Sequence, residues 1–288
     1  MSQEPASLRP LETAADFEAC VALQKRVWGE GFGDLVPPSI LKIVQSVGGV
    51  AAGAFGAGDA LDGFVMGVTG VRVGRPVHWS HMLAVRPEAR GRDLGFRLKR
   101  YQCELLLPLG VETVWWTYDP LVSKNAHLNL VRLGARVVRY VRDYYGDGSD
   151  SALSAGLGTD RFIVEWPIAE ARVAVLLAGA AGASPEADAG AALAAPVVNT
   201  REGAAGPEPV VAEPPAASAA PAVRVEIPED VQAVRDADRA AAALWRASTR
   251  RALEACLERG DRVAGFFRLP DPAHPGAHRS FYWLRSGG

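Results

Sequence analysis

The sequence carries no excess of either charge: its formal net charge is −2 over 288 residues. Without a basic surplus a general nucleic-acid binder is excluded. Cysteine is scarce, and the three present, Cys20, Cys103 and Cys256, are widely separated and fall in helical patterns. They have no metal-ligand spacing and read as buried thiols in a reducing compartment, so no metal site is expected. The longest apolar run, Ala171–Ala183, is too short to cross a bilayer. The start, MSQEPASLRP, has no apolar signal core, so a soluble, cytoplasmic protein is expected. Also missing are the G-x-S-x-G elbow, the Walker loop and H-E-x-x-H. Gly53, Gly56 and Gly58 lack dinucleotide spacing and sit in an apparent hairpin turn.

What is present is a chain with 49% hydrophobic residues, enough to bury a full core, and a length that suits one large domain or two modest ones. Its most informative stretch is 76–110, PVHWSHMLAVRPEARGRDLGFRLKRYQCELLLPLG. Val77, Trp79, His81, Leu83 and Val85 alternate with a second set, which predicts a two-faced strand. Pro87 ends it, since proline lacks the N–H that a ladder needs and holds Arg86 extended. The turn RGRDLG then runs into a helix whose apolar face is predicted at Leu94, Leu98, Tyr101, Leu105 and Leu109, closed by Gly110. Unpaired backbone N–H groups at the turn and helix start, beside Arg86, Arg90 and Arg92, suit a phosphorylated ligand.

The run V-x-P-x-x-R-G-x-x-L-G, Val85 to Gly95, resembles the acetyl-CoA signature of the GNAT superfamily of N-acetyltransferases. Of the family pattern Q/R-x-x-G-x-G/A, Arg90 and Gly95 fit, and Asp93 stands at the central glycine. Aspartate tolerates left-handed backbone better than most residues, although its carboxylate lies close to where a diphosphate would sit. The resemblance implies acetyl-CoA as acyl donor. Backbone groups of Leu83 and Val85 would hold the thioester oxygen and the pantetheine arm. Arg90, Gly91, Arg92, Asp93 and Gly95 would surround the pyrophosphate, and Asn125 would either reach the cofactor or cap its helix. It further implies a small-molecule amine or a protein amino group as acceptor, attacked directly in a ternary complex. A non-catalytic module that keeps the fold and binds CoA or a partner protein is the alternative. Nucleic acid and membrane are not expected as partners, and a homodimer is allowed.

Order along the chain supports a mixed α/β class: a GNAT-like central sheet flanked by helices, with a smaller C-terminal α/β extension. A strand at Ser7–Leu11 leads to a helix capped by Thr13 and Asp16. A second helix from Pro37–Pro38 turns Ile40, Leu41, Ile43, Val44 and Val47 inward. Strands follow at Val50–Phe55 and Gly63–Val73. Beyond Gly110 come the strand VETVWWTY, a helix capped by Ser123 and ending at Gly134, and strands in ARVVRYVRDYYG and RFIVEWPI. Three regions are expected: an acyltransferase domain over 1–170, an Ala/Pro-rich linker over 171–222 that is disordered for want of burial, and a strand–helix–hairpin extension over 223–288. Helix Asp238–Arg259 is expected to bury Leu244, Trp245, Ser248, Ala252, Ala255 and Cys256. The tail repeats the strand–helix–strand–strand order of the N-terminal half, as a degenerate half-repeat would.

Acyl transfer to an amine needs a proton acceptor, a cradle for the thioester oxygen and a donor for the departing thiolate. His81, on the strand that would pass the thioester, has the right intrinsic pKa for the first task, with His78 as second choice. Both histidines could equally pack within the strand. The resemblance puts Leu130 where the family often carries a tyrosine. Tyr140, Tyr144 or Tyr145 could replace it, or the thiolate could leave unaided. Of Trp115 and Trp116, one should fill the core and the other line a cleft. Arg97, Lys99 and Arg100 read as a solvated helix face; Arg246 and Arg250, one turn apart, could line an anionic acceptor pocket, but being simply exposed is the favoured reading.

Overall fold

The computed structural model describes residues 6–146, 156–179, 189–204, 206–216, 220–271 and 274–287. Seven strands form a mixed sheet: β1 (Ser7–Pro10), β2 (Val50–Phe55), β3 (Leu61–Arg72), β4 (Arg75–Val85), β5 (Val114–Tyr118), β6 (Arg136–Val141) and β7 (Arg161–Trp166). Their order is β1-β2-β3-β4-β5-β7-β6. The first four strands pair antiparallel, and β4 pairs parallel with β5. Helices α1 (Ala14–Trp28) and α2 (Pro38–Ser46) join β1 to β2, while α3 (Leu94–Leu106) is the crossover that the parallel pair requires. The fold is therefore of the mixed α/β class.

Two compact units divide the chain, and the divisions fall inside β5 and β7. Among described residues the first holds 6–116 and 165–179. Thr13 caps α1 as expected, in a reciprocal box with Asp16. Arg9 donates to the Asp16 carboxylate at 2.7 Å and lies over the Phe55 ring. Leu11, Phe17, Cys20, Leu23, Leu41 and Val44 pack with Phe64, Met66, Met82 and Ala84 in one core cluster. On α2 only Leu41 and Val44 are buried; Ile40, Ile43 and Val47 are exposed, because one side of this short helix meets the sheet. The buried arc of α3 is broader than predicted: it includes Phe96, Lys99, Gln102 and Cys103, and leaves Leu109 exposed. A further helix, α5 (Ala171–Leu177), buries Val173, Leu176 and Leu177.

The second unit contains α4 (Ser123–Ala126), extended by a wider turn through His127–Arg132. Ser123 is not its cap; Val122 takes that position, and the Ser123 hydroxyl meets Ser280 at 2.7 Å. Helix α6 (Ala189–Ala194) and a hairpin of β8 (Thr200–Gly203) and β9 (Gly206–Pro209) follow. Then come β10 (Ala222–Ile227), α7 (Val231–Ala237), α8 (Arg239–Glu258), β11 (Asp261–Pro270) and β12 (His278–Ser286). Part of the span expected to be disordered is thus regular, and residues 180–188, 205 and 217–219 lie outside the described set. Apolar burial contributes, with Ala192 and Ala195 packed against Trp283, and backbone pairing contributes beside it. The Asn199 amide bridges the Glu226 N–H at 2.7 Å and carbonyl at 2.8 Å, and Arg224 N–H donates to the Pro196 carbonyl at 2.7 Å. The tail keeps the expected order of elements, but its strands lie β10-β12-β11. Its first strand pairs with its last, whereas β1 pairs with the next strand, β2.

Candidate active site

Strand β4 pairs with β3 over its whole length, yet the register slips between Met82, opposite Met66, and Ser80, opposite Gly67. His81 is the extra residue of a β-bulge. Bulges re-aim side chains, and this one breaks the predicted alternation. His78 and Ser80 bond to side chains of α3, whereas Met82 and Ala84 pack with α1 and α2. A regular strand would have placed those four on one face. Gly67 opposite the slip admits no side chain: a Cβ there would lie 2.2 Å from His78 Nε2 and 2.6 Å from the Trp79 carbonyl.

Parallel pairing with β5 covers His78 and Trp79. From Ser80 to Val85 no further β4–β5 pairing occurs among the described residues, so β4 presents backbone donors and acceptors along an open edge that includes His81, Leu83 and Val85. His81 itself is exposed, yet nearby protein atoms lower its pKa by desolvation, with Asp34 opposing the shift. Neutral imidazole therefore prevails at physiological pH.

At the C-terminal end of β4 the chain turns through Pro87–Ala89 and reaches α3 by two left-handed residues, Gly91 at φ 78° and Asp93 at φ 59°. Asp93 occupies the helix N-cap position with no side-chain cap bond. A Cβ on Gly91 would meet nothing within 4 Å, so open space lies beside the turn and left-handed backbone is what glycine supplies. The Arg90 N–H donates to the Pro87 carbonyl at 3.2 Å, its side chain is exposed and forms no hydrogen bond or ion pair among the described residues, and Arg92 is tied to buried Asp62. The N-terminus of α3, with Arg90 beside it, fits an anionic phosphate. Among the described residues no cluster of three or more His, Cys, Asp or Glu side chains is placed to hold a metal ion.

Behind the bulge lies a buried polar chain. Lys99 Nζ donates to Ser80 Oγ at 2.7 Å and to Gln102 Oε1 at 3.3 Å, and Ser80 Oγ donates to Gln102 Oε1 at 3.0 Å. Gln102 Nε2 stands 3.0 Å from His78 Nε2; His78 Nδ1 stands 2.9 Å from Thr69 Oγ1, which donates to the Gly48 carbonyl. Because Thr69 spends its proton on Gly48, the consistent tautomer carries hydrogen on His78 Nδ1 and accepts from Gln102 at Nε2. Desolvation holds the His78 pKa down at about 3, helped by Lys99. Lys99 is buried against the Trp116 ring at 3.8 Å, and desolvation holds its pKa well below the usual lysine value. His78 is thus a satisfied core histidine. The charged run on α3 concealed Lys99, which is buried where a solvated lysine was expected.

No protein-family model matches the sequence, and no curated protein matches it. Solved structures do. A ribosomal-protein alanine N-acetyltransferase from Escherichia coli is 20% identical, with 58% of this chain and 96% of that one covered at a TM-score of 0.45. An aminoglycoside 6'-N-acetyltransferase complexed with coenzyme A is 16% identical, with 57% and 98% covered at 0.43. Arabidopsis thaliana NAA60, in complex with a bisubstrate analogue, is 16% identical, with 56% and 98% covered at 0.45. The first two are N-acetyltransferases.

The two remaining predicted residues lie in the second unit. Asn125 is half-buried in α4, its N–H donating to the Val122 carbonyl at 3.0 Å. The Tyr140 hydroxyl donates to Asp160, and burial with that carboxylate raises its pKa strongly. Asp160 also accepts from Arg250 at 2.6 Å, and Arg246 donates to Asp119 at 2.6 Å. These arginines, expected at the surface, are folded into a carboxylate network. On α8 Leu244 is exposed while Arg246 is buried. Trp116 fills the core against Trp166, their rings 5.9 Å apart, while Trp115 is half-buried under Arg72. No helix among the described residues is long and apolar enough to cross a membrane.

Proposed function

We propose that this protein transfers an acetyl group from acetyl-CoA to a primary amine on a small molecule or a protein, by direct attack in a ternary complex. The observation that carries this is the bulge at His81, set where β4 parts from β5 and upstream of a left-handed turn into α3. A thioester needs an extended arm bound along backbone and a phosphorylated end bound at amides, and the open edge and the turn supply both in sequence. Leu83 and Val85 would bind the pantetheine amides and the thioester oxygen through main-chain groups. Arg90, Gly91, Asp93 and Gly95 would border the phosphates. Acetyl-CoA supplies the activated acyl group. His81, neutral at pH 7 because its pKa is lowered, would accept the amine proton at its imidazole, directly or through water.

Tyr140 is a poor candidate for the thiolate donor: its proton is held by Asp160 and its pKa is raised. The thiolate would leave without a side-chain acid. This is also the feature that favours the alternative, a fold-retaining module that binds CoA without turnover.

Calorimetric titration with acetyl-CoA, for the wild type and for Asp93→Gly, is the first test. Micromolar binding, about −8 kcal/mol, is expected, followed by amine acetylation that His81→Ala slows by about a hundredfold without weakening donor binding. Binding with no turnover on any amine panel would favour the module. A folded wild type that binds no acetyl-CoA would overturn the assignment, and binding by Asp93→Gly alone would show that Asp93 disables the site.

A further inference from the structure

Asp62, near the start of β3, has a fully buried carboxylate that serves two arginines at opposite ends of the ligand turn. Arg86, where β4 ends, faces Oδ1 as an ion pair without hydrogen-bond alignment, and Arg92, beside left-handed Asp93, donates to Oδ2. The Asp62 carbonyl also accepts the Arg86 N–H at 2.9 Å. A single arginine would neutralise this buried charge. The second ion pair adds something else: it fastens the exit from the sheet and the approach to α3 to one carboxylate. Between these two anchors the backbone holds left-handed Gly91, and left-handed Asp93 follows directly on the second, a conformation that a free aspartate would seldom adopt. Gly56 completes the clasp from below, since a Cβ there would lie 2.5 Å from Asp62 Oδ2.

We infer that Asp62 is a positioning residue for the phosphorylated end of the acyl donor, holding turn 86–93 in its binding shape through Arg86 and Arg92. This rests on the acetyltransferase assignment of the same site. Arg92 then acts through Asp62, and direct charge contact with phosphate falls to Arg90. Preforming the turn removes an ordering cost from ligand binding.

The test is calorimetric titration of the full chain with acetyl-CoA and with acetyl-pantetheine, which lacks the nucleotide and its phosphates, alongside thermal unfolding. Asp62→Asn removes the charge from the clasp. Gly56→Ala keeps every charge but pushes the carboxylate off its partners, at a backbone conformation alanine can adopt (φ −93°), and it carries the test should Asp62→Asn not fold. Both variants are expected to bind acetyl-CoA about tenfold or more weakly and acetyl-pantetheine as the wild type does. Unchanged acetyl-CoA affinity in the folded variants, or equal losses for both ligands, would overturn the inference and leave the acetyltransferase assignment standing. A wild type that binds no acetyl-CoA would remove both.

Discussion

The buried chain behind the bulge should make the protein acid-sensitive well above the range where carboxylates titrate, and His78 is the group to follow. Its side chain is fully buried and its pKa falls from 6.5 to about 3. Below pH 6.5 the unfolded chain takes up a proton at this position that the folded protein refuses, so stability falls with pH through the window from 6.5 down to about 3. Each pH unit in that window removes about 1.4 kcal/mol. Going from pH 7 to pH 5 crosses about 1.5 units of it and should cost about 2 kcal/mol, and any native pKa below about 4 leaves this figure unchanged. The perturbation is His78→Gln, which keeps a neutral donor and acceptor but cannot take up the proton. Urea unfolding at both pH values, followed by tryptophan fluorescence, reads the difference, since Trp116 lies on Lys99 at the end of the chain. Other groups, Lys99 and His81 among them, titrate in both proteins, so comparing the two pH dependences isolates His78. The wild type should lose about 2 kcal/mol more than the variant between pH 7 and 5. Equal losses would show that His78 is protonated in the native state and refute the tautomer assigned to the chain.

Three further outcomes are expected. Lys99→Met should raise the urea midpoint at pH 7, because it removes the desolvation that depresses the lysine pKa while keeping an unbranched side chain against Trp116; a large fall would show that the amine's bonds to Ser80 and Gln102 outweigh its burial. Tyr140→Phe should cost about 1.5–3 kcal/mol of stability through the lost bond to Asp160 and leave acetyl turnover per folded molecule unchanged; a selective fall in kcat would restore Tyr140 as an acid. The acid limb of kcat/KM should lie below pH 6.5, since His81 must be neutral to accept a proton and its pKa is lowered; a limb above that value would exclude it as the base.

Much of the site was legible because it is written in local chemistry. Pro87 must end β4, glycine suits a left-handed turn at Gly91, and aspartate is among the few other residues that tolerate one at Asp93, so strand, turn and helix follow from residues in contact along the chain. Thr13 and Asp16 announced α1 for the same reason, since a cap involves neighbours in sequence. Helix α3 was legible as a helix, but its buried arc was not. The partners that bury Lys99 and Gln102 are Ser80 and His78 on β4, which no period along α3 reveals.

Tertiary structure alone decided the rest. The slip at His81 depends on the register of β3, with Gly67 opposite, so alternation read along β4 placed Ser80 and Met82 together where the fold sets them apart. Arg92 reads as a phosphate ligand by its neighbours in sequence and becomes part of a clasp only because β3 carries Asp62 beside it. The span 171–222 reads as a linker too poor in apolar surface to be ordered, yet within it Asn199 and Pro196 bond to the backbone of β10. Sequence by itself determines which backbone shapes are affordable at each position; which polar groups find partners is settled when distant strands meet, because a buried charge or amide persists only where another segment satisfies it.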